Sequence, residues 1–157
     1  MQLNSGKHTN PYKIMYKKSL LLLLSINLIA CKCILPDPVI TRYGVKNDLK
    51  MFPQDNPRMT LRSIIKAIEL KRFDYLLAHL IYPDLIKIEL GSDSFENLVL
   101  HTRENFTSGK KNADKLREFL KDGILVYFGR QAAVIRLQDG SQIQFMEEDD
   151  LWYMNRH

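Results

Sequence analysis

Cysteine is scarce in this chain. Its 157 residues hold two, Cys31 and Cys33, which excludes a disulfide framework and any CxxC metal pair. The CKC spacing offers at most a two-thiolate clip, so no metal is expected and the domain must hold itself by its apolar core. Long hydrophobic runs are missing too. A membrane-spanning helix needs about 20 apolar residues, and the run from Ser19 to Ala30 covers 12. The excess of basic charge is also less than it looks. There are 23 Lys and Arg against 18 Asp and Glu, a formal charge of +5. Lys7, Lys13, Lys17 and Lys18 lie in residues 1–30, which carry no acid, so the remaining 19 basic and 18 acidic side chains leave a net of +1. Those charges are interspersed, and Lys110-Lys111 is too short a run to make a basic patch. No nucleic-acid partner is expected.

Catalytic signatures are absent as well. The chain has no Walker loop, GxGxxG, nucleophile elbow, HExxH or EF-hand pattern. No cofactor is expected.

What is present begins with an address. Lys13, Lys17 and Lys18 precede Leu20 to Leu24, Ile26, Leu28 and Ile29. Positive charge followed by 7–15 apolar residues is the pattern of a secretory signal. The run is apolar on every face, and Pro36 and Pro38 follow it, which argues against a core helix. Met15 opens a complete short signal, MYKKSLLLLL, while residues 1–14 are polar. Met15 is therefore the expected true start.

The end of the run, Leu28-Ile29-Ala30-Cys31, resembles the lipobox of bacterial lipoproteins. The resemblance implies that a diacylglycerol alkylates the Cys31 thiol, that a peptidase cuts between Ala30 and Cys31, and that the new N-terminus is acylated, as with palmitate. Several chains anchor stably where one binds marginally, each buried CH₂ contributing about 0.8 kcal/mol. The expected location is the cell envelope, on the extracytoplasmic side of a membrane. The rival is an uncleaved anchor.

Residues 31–58 hold Pro36, Pro38, Pro53 and Pro57 without a sustained period and are expected to be a flexible tether, with Val39 to Val45 able to pair as an edge strand. The domain is expected over 59–157. Thr60 is the expected N-cap of a helix striped by Leu61, Ile64, Ile65 and Ile68. Asp74 is expected to cap a short helix ending before Pro83. Leu85 to Leu90 fits either helix or strand. Ser94 caps a helix with Phe95, Leu98, Val99, Thr102 and Phe106 inward. Asn112 caps another, with Ala113, Leu116, Phe119 and Leu120 inward, and Gly123 is expected in the left-handed conformation that ends helices.

The period then becomes two. Ile124 to Phe128 and Ala132 to Leu137 read as strands, Asp139-Gly140 as a hairpin turn, and Ser141 to Met146 as a strand with Ile143 and Phe145 on one face. Glu147 to Asp150 reads as an acidic turn and Leu151 to Met154 as the last strand. Helices followed by consecutive strands predict an α+β domain with N-terminal helices packed on a C-terminal antiparallel sheet. The ending Asp149 to Met154, with its L-W-Y-M strand after a DG hairpin, resembles the NTF2-like superfamily. That resemblance implies a curved sheet forming a cone with helices behind it, and no particular activity.

The chemistry-bearing candidates are few. His79 or His101, paired with Asp74 or Glu104, would make a base if their helices faced each other. Trp152, Tyr127 and His101 are the candidate ligand-pocket residues, with Tyr153 and Phe145 beside them. Aromatic residues on alternating strand positions are more often core. Glu147 to Asp150 lacks a calcium-loop pattern, and Ser92, Ser94 and Ser108 have no histidine nearby in sequence. The expected function is a lipid-anchored interaction module, binding membrane lipid through Cys31 and an envelope protein or small ligand through its domain. The alternative is a small NTF2-like pocket enzyme using His79 or His101. A cavity with a polar, perturbed histidine would favour the enzyme, and one filled by Trp152, Phe145 and Phe119 would favour the binding module.

Overall fold

The computed structural model describes residues 40–108 and 113–156. The apolar run, Cys31 and Cys33, the cap at Asn112 and His157 lie outside them. The described chain opens with a small hairpin, β1 (Thr41–Arg42) and β2 (Val45–Lys46). Five helices follow: α1 (Pro57–Glu69), α2 (Phe73–Tyr75), α3 (Pro83–Leu90), α4 (Phe95–Thr107) and α5 (Asp114–Asp122). A π-helical turn, Leu76–Leu80, continues α2. Then come β3 (Ile124–Phe128), β4 (Ala132–Arg136), β5 (Gln142–Glu148) and β6 (Leu151–Arg156). These four strands form one antiparallel meander in the order β3-β4-β5-β6. The molecule is thus α+β, with its helices preceding the sheet. The meander is open, and no closed cone is present among the described residues.

The core lies between the helices and one face of the sheet. Leu61 and Ile64 of α1 are fully buried and Ile65 nearly so, as their spacing requires. They meet Ala133, Ile135, Ile143, Phe145, Trp152 and Met154 in one cluster. Each such buried aliphatic side chain contributes about 1.5–3 kcal/mol. Ile143 and Phe145 alternate with the more exposed Gln142 and Gln144. On α4 the inward stripe is only half-buried, and Phe106 stacks on Phe73 at 5.5 Å.

Several local expectations are corrected. Packing begins before residue 59. Phe52 is fully buried and stacks on Tyr75 at 4.3 Å, and Gln54 is 2 % exposed. Ser63 Oγ and Lys66 Nζ donate to Pro53 O and Met51 O, strapping this segment along α1. The expected tether therefore cannot extend to Arg58. The cap of α1 is Asn56, whose Oδ1 accepts from Met59 N, with Pro57 at the first helical position. Thr60 is buried and its hydroxyl is shared between Asn56 O and Trp152 O, each at 3.1 Å. Asp74 caps nothing and pairs with Arg72 at 3.0 Å. Pro83 starts α3 and so resolves Leu85 to Leu90 as helix.

Gly123 has φ −72 and ψ 141, an ordinary extended conformation. Glycine is needed there for space, because a Cβ would run into Ile135 Cγ2 and the Phe119 carbonyl. Asp139-Gly140 turns as a three-residue loop, with Gly140 at φ +85 and its N–H donating to Leu137 O. The two-residue turn is Asp149-Asp150, both left-handed at φ 53 and 62, which acidic residues tolerate better than most. Glu147 and Glu148 belong to β5.

Candidate functional site

Among the described residues, the face of the sheet toward the helices is packed around Trp152. Trp152 is 7 % exposed and sits in the core cluster with Phe145 and Phe119. Its backbone is held as firmly as its ring. Trp152 N donates to Gln54 O, and Trp152 O accepts from Gln54 Nε2 at 2.8 Å and Thr60 Oγ1 at 3.1 Å. Tyr127 meets Trp152 edge-on, with ring centroids 5.7 Å apart. By register it faces the core, opposite Ala133, yet it is 52 % exposed, because the helices do not reach over this end of the sheet.

The histidines are not brought together as a base. His79 lies buried in the π turn, its ring tilted on Tyr75. Its Nε2 is 2.8 Å from Val45 O, a group that only accepts, so Nε2 carries the proton. Burial holds the His79 pKa below its ordinary value; the Val45 bond opposes that shift and the Arg42 charge adds to it. Its backbone carbonyl accepts from Gln54 Nε2. His79 thus clamps the N-terminal hairpin to the body of the domain. His101 stands exposed on α4. Asp74 is engaged by Arg72, and Glu104 is exposed.

Other candidates take structural roles. Ser94 caps α4 by accepting from Asn97 N, and Ser108 donates to Asn105 O at its other end. Ser92 is exposed in the preceding turn. Glu147 Oε1 accepts from Asp150 N across the acidic turn. Among the described residues no group of three or more His, Cys, Asp or Glu side chains is placed to hold a metal ion. No helix among them is long and apolar enough to cross a membrane.

The unexpected surface is on the other side of β3. Ile124 is 64 %, Val126 42 % and Phe128 56 % exposed. Register places all three on the outer face, opposite Arg136, Val134 and Ala132. Phe128, Ala132, Val134, Gln144 and Met146 line an open groove of about 290 Å³ there. β3 is also an end strand, with β4 as its one neighbour. An unbroken apolar run such as ILVYF usually marks a strand buried on both faces, and here the outer face is exposed.

No family model matches the chain, no curated protein matches its sequence, and no solved structure matches it.

Proposed function

We propose that this chain is a membrane-anchored interaction module. Lipidated Cys31, freed by cleavage after Ala30, holds it on the extracytoplasmic side of a bacterial membrane, and β3 with its apolar outer face receives a protein strand. The observation that carries the interaction reading is the bare β3 edge. A five-residue apolar strand with unpaired peptide groups is a template for a further strand. The filled core around Trp152, Phe145 and Phe119, and the engagement of His79 by Val45, weigh against the pocket enzyme. The anchor rests on the lysine-flanked run that ends in Leu28-Ile29-Ala30-Cys31.

Intact mass of the membrane-extracted protein, wild type beside Cys31→Ser, tests the anchor. The expected wild-type mass is that of residues 31–157 plus acyl chains, and the variant lacks the lipid. An unmodified mass that still includes residues 15–30 overturns it. A photoreactive amino acid at position 126 or at position 100, exposed on α4, tests the surface in cells. Adducts are expected at 126 and not at 100, and no adduct at 126 overturns the interaction reading.

A further inference from the structure

The two edges of the sheet differ, and the open one is complementary to itself. We infer that β3 pairs antiparallel with β3 of a second copy, centred on Val126, to make a continuous eight-stranded sheet across a two-fold axis. This rests on the interaction reading above and names its partner.

Native sheets block exposed edges with lysine, proline, bulges or a covering segment. At β6 the block is a covering segment: Tyr82 N donates to Met154 O, Ile81 bridges Met154, and Gln54 and Thr60 engage Trp152. Among the described residues β3 carries none of these devices. Ile124–Phe128 contains no charge, no proline and no glycine, and its pairing with β4 is regular over all five residues.

Register selects the centre. Antiparallel pairing about Val126 sets Ile124 opposite Phe128 and Leu125 opposite Tyr127, which uses the whole strand. It also keeps the two core faces on one side of the joined sheet, whereas a one-residue slip would invert them. The flanking charges fit the same centre. Asp122 precedes the strand and Arg130 follows it, each four residues from Val126, and both are exposed. Among the described residues neither side chain has a hydrogen-bond or ion-pair partner. In the two-fold pairing the Asp122 end of each copy lies alongside the Arg130 end of the other, giving two opposite-charge pairs and no like-charge pair. The exposed apolar side chains of the outer face, Ile124, Val126 and Phe128, become contiguous across the axis. Anchored chains sharing one membrane plane would meet at raised effective concentration.

Cysteine cross-linking of the full-length protein in its membrane, on a Cys33→Ser background, tests the register. Directly opposed residues lie about 4.5–5.5 Å apart at Cα, within the roughly 4.4–6.8 Å of a disulfide. Val126→Cys is expected to give a disulfide dimer under mild oxidation. Ile124→Cys should not, because its own copy lies about 13 Å away at the rise of a strand. The double variant Ile124→Cys/Phe128→Cys should cross-link again. Asp122→Arg should cut the Val126→Cys dimer several-fold, and adding Arg130→Asp should restore it. A Val126→Cys protein that stays monomeric, or an Ile124→Cys protein that cross-links as readily, overturns the self-pairing. In the photo-cross-linking experiment, an adduct of twice the protomer mass supports it. An adduct at 126 with a different protein overturns self-pairing and leaves the interaction reading standing, whereas the absence of any adduct removes both.

Discussion

One sheet ends in two ways. At β6 the peptide groups of Trp152 and Met154 are met by Gln54, Thr60 and Tyr82. The outward Tyr153 is 1 % exposed, with the Arg42 guanidinium over its ring and Tyr82 at its edge. At β3, four of five side chains are exposed, and they are Ile124, Val126, Tyr127 and Phe128. The first edge is closed by segments far away in sequence, at residues 42, 54, 60 and 82, so its closure is a product of the fold. The second is left to whatever the molecule meets. Backbone polar groups require partners when buried; among the described residues β6 has such partners on its outer edge, and β3 has β4 as its one neighbour.

The closed edge at β6 is weakened most by a change at Gln54. Gln54→Leu keeps the volume but removes the two donors that serve His79 O and Trp152 O. His79 O then loses this side-chain partner in the interior, and an unsatisfied buried group costs about 1–3 kcal/mol. The expected loss is about 2 kcal/mol, read as a lower urea midpoint at unchanged slope. Thr60→Val sharpens the result. Trp152 O accepts from both residues, so Thr60→Val should cost more in the Gln54→Leu background than alone. A Gln54→Leu midpoint equal to wild type would show that β6 is not closed by this side chain.

Gln54 also marks where sequence reading stops. The stripe of α1 and the alternation of Ile143 and Phe145 were legible, because a helix or strand half-buried against one neighbour writes its period into the chain. Phe52 and Gln54 sit in a proline-bearing segment with no period, and their burial comes from α1 and the π turn closing over them. Thr60 and Gly123 show a related failure. Each is a residue type with a familiar local use, cap or left-handed turn, and each is placed by a tertiary contact, Thr60 with Trp152 O and Gly123 against Ile135. The α+β order was readable from the change of period near Gly123. The candidate surface was not, since the five apolar residues of β3 carry no sign of which face, if either, is covered.

A smaller effect concerns the clamp between hairpin and body. The His79 pKa lies below its ordinary value in the folded protein because the ring is buried. The unfolded chain takes up this proton near pH 6.5, and the folded protein only at lower pH. Between those two values the unfolded state binds more protons, so stability falls as pH falls from about 7 through 6.5 and onward to the folded pKa. The slope from one such group is at most about 1.4 kcal/mol per pH unit. His79→Gln, which retains a donor for Val45 O, should flatten the pH dependence from about pH 7 downward. An unchanged slope in the variant would mean that the hairpin is held to the body by Asp48 N on the Tyr75 hydroxyl and Arg42 on the Tyr153 hydroxyl.

The smallest effect on the protomer is expected at the open edge. Val126 packs beside Val134 on the outer face and is 42 % exposed. In Val126→Lys the aliphatic stem can still lie over Val134 while the ammonium reaches water, and a surface change of this kind usually stays within about ±0.5 kcal/mol. The substitution also places a lysine at the centre of a bare edge, where native sheets put one to prevent pairing. Two copies paired about Val126 would then set two ammonium groups opposite each other. Unfolding at two protein concentrations separates these consequences. If folding is coupled to association, the wild-type midpoint rises with concentration; the Val126→Lys midpoint should stay constant and match wild type at the dilute limit. A Val126→Lys protein destabilised as much as Gln54→Leu at every concentration would mean that β3 is already covered within the protomer, and the contrast between the two edges would be lost.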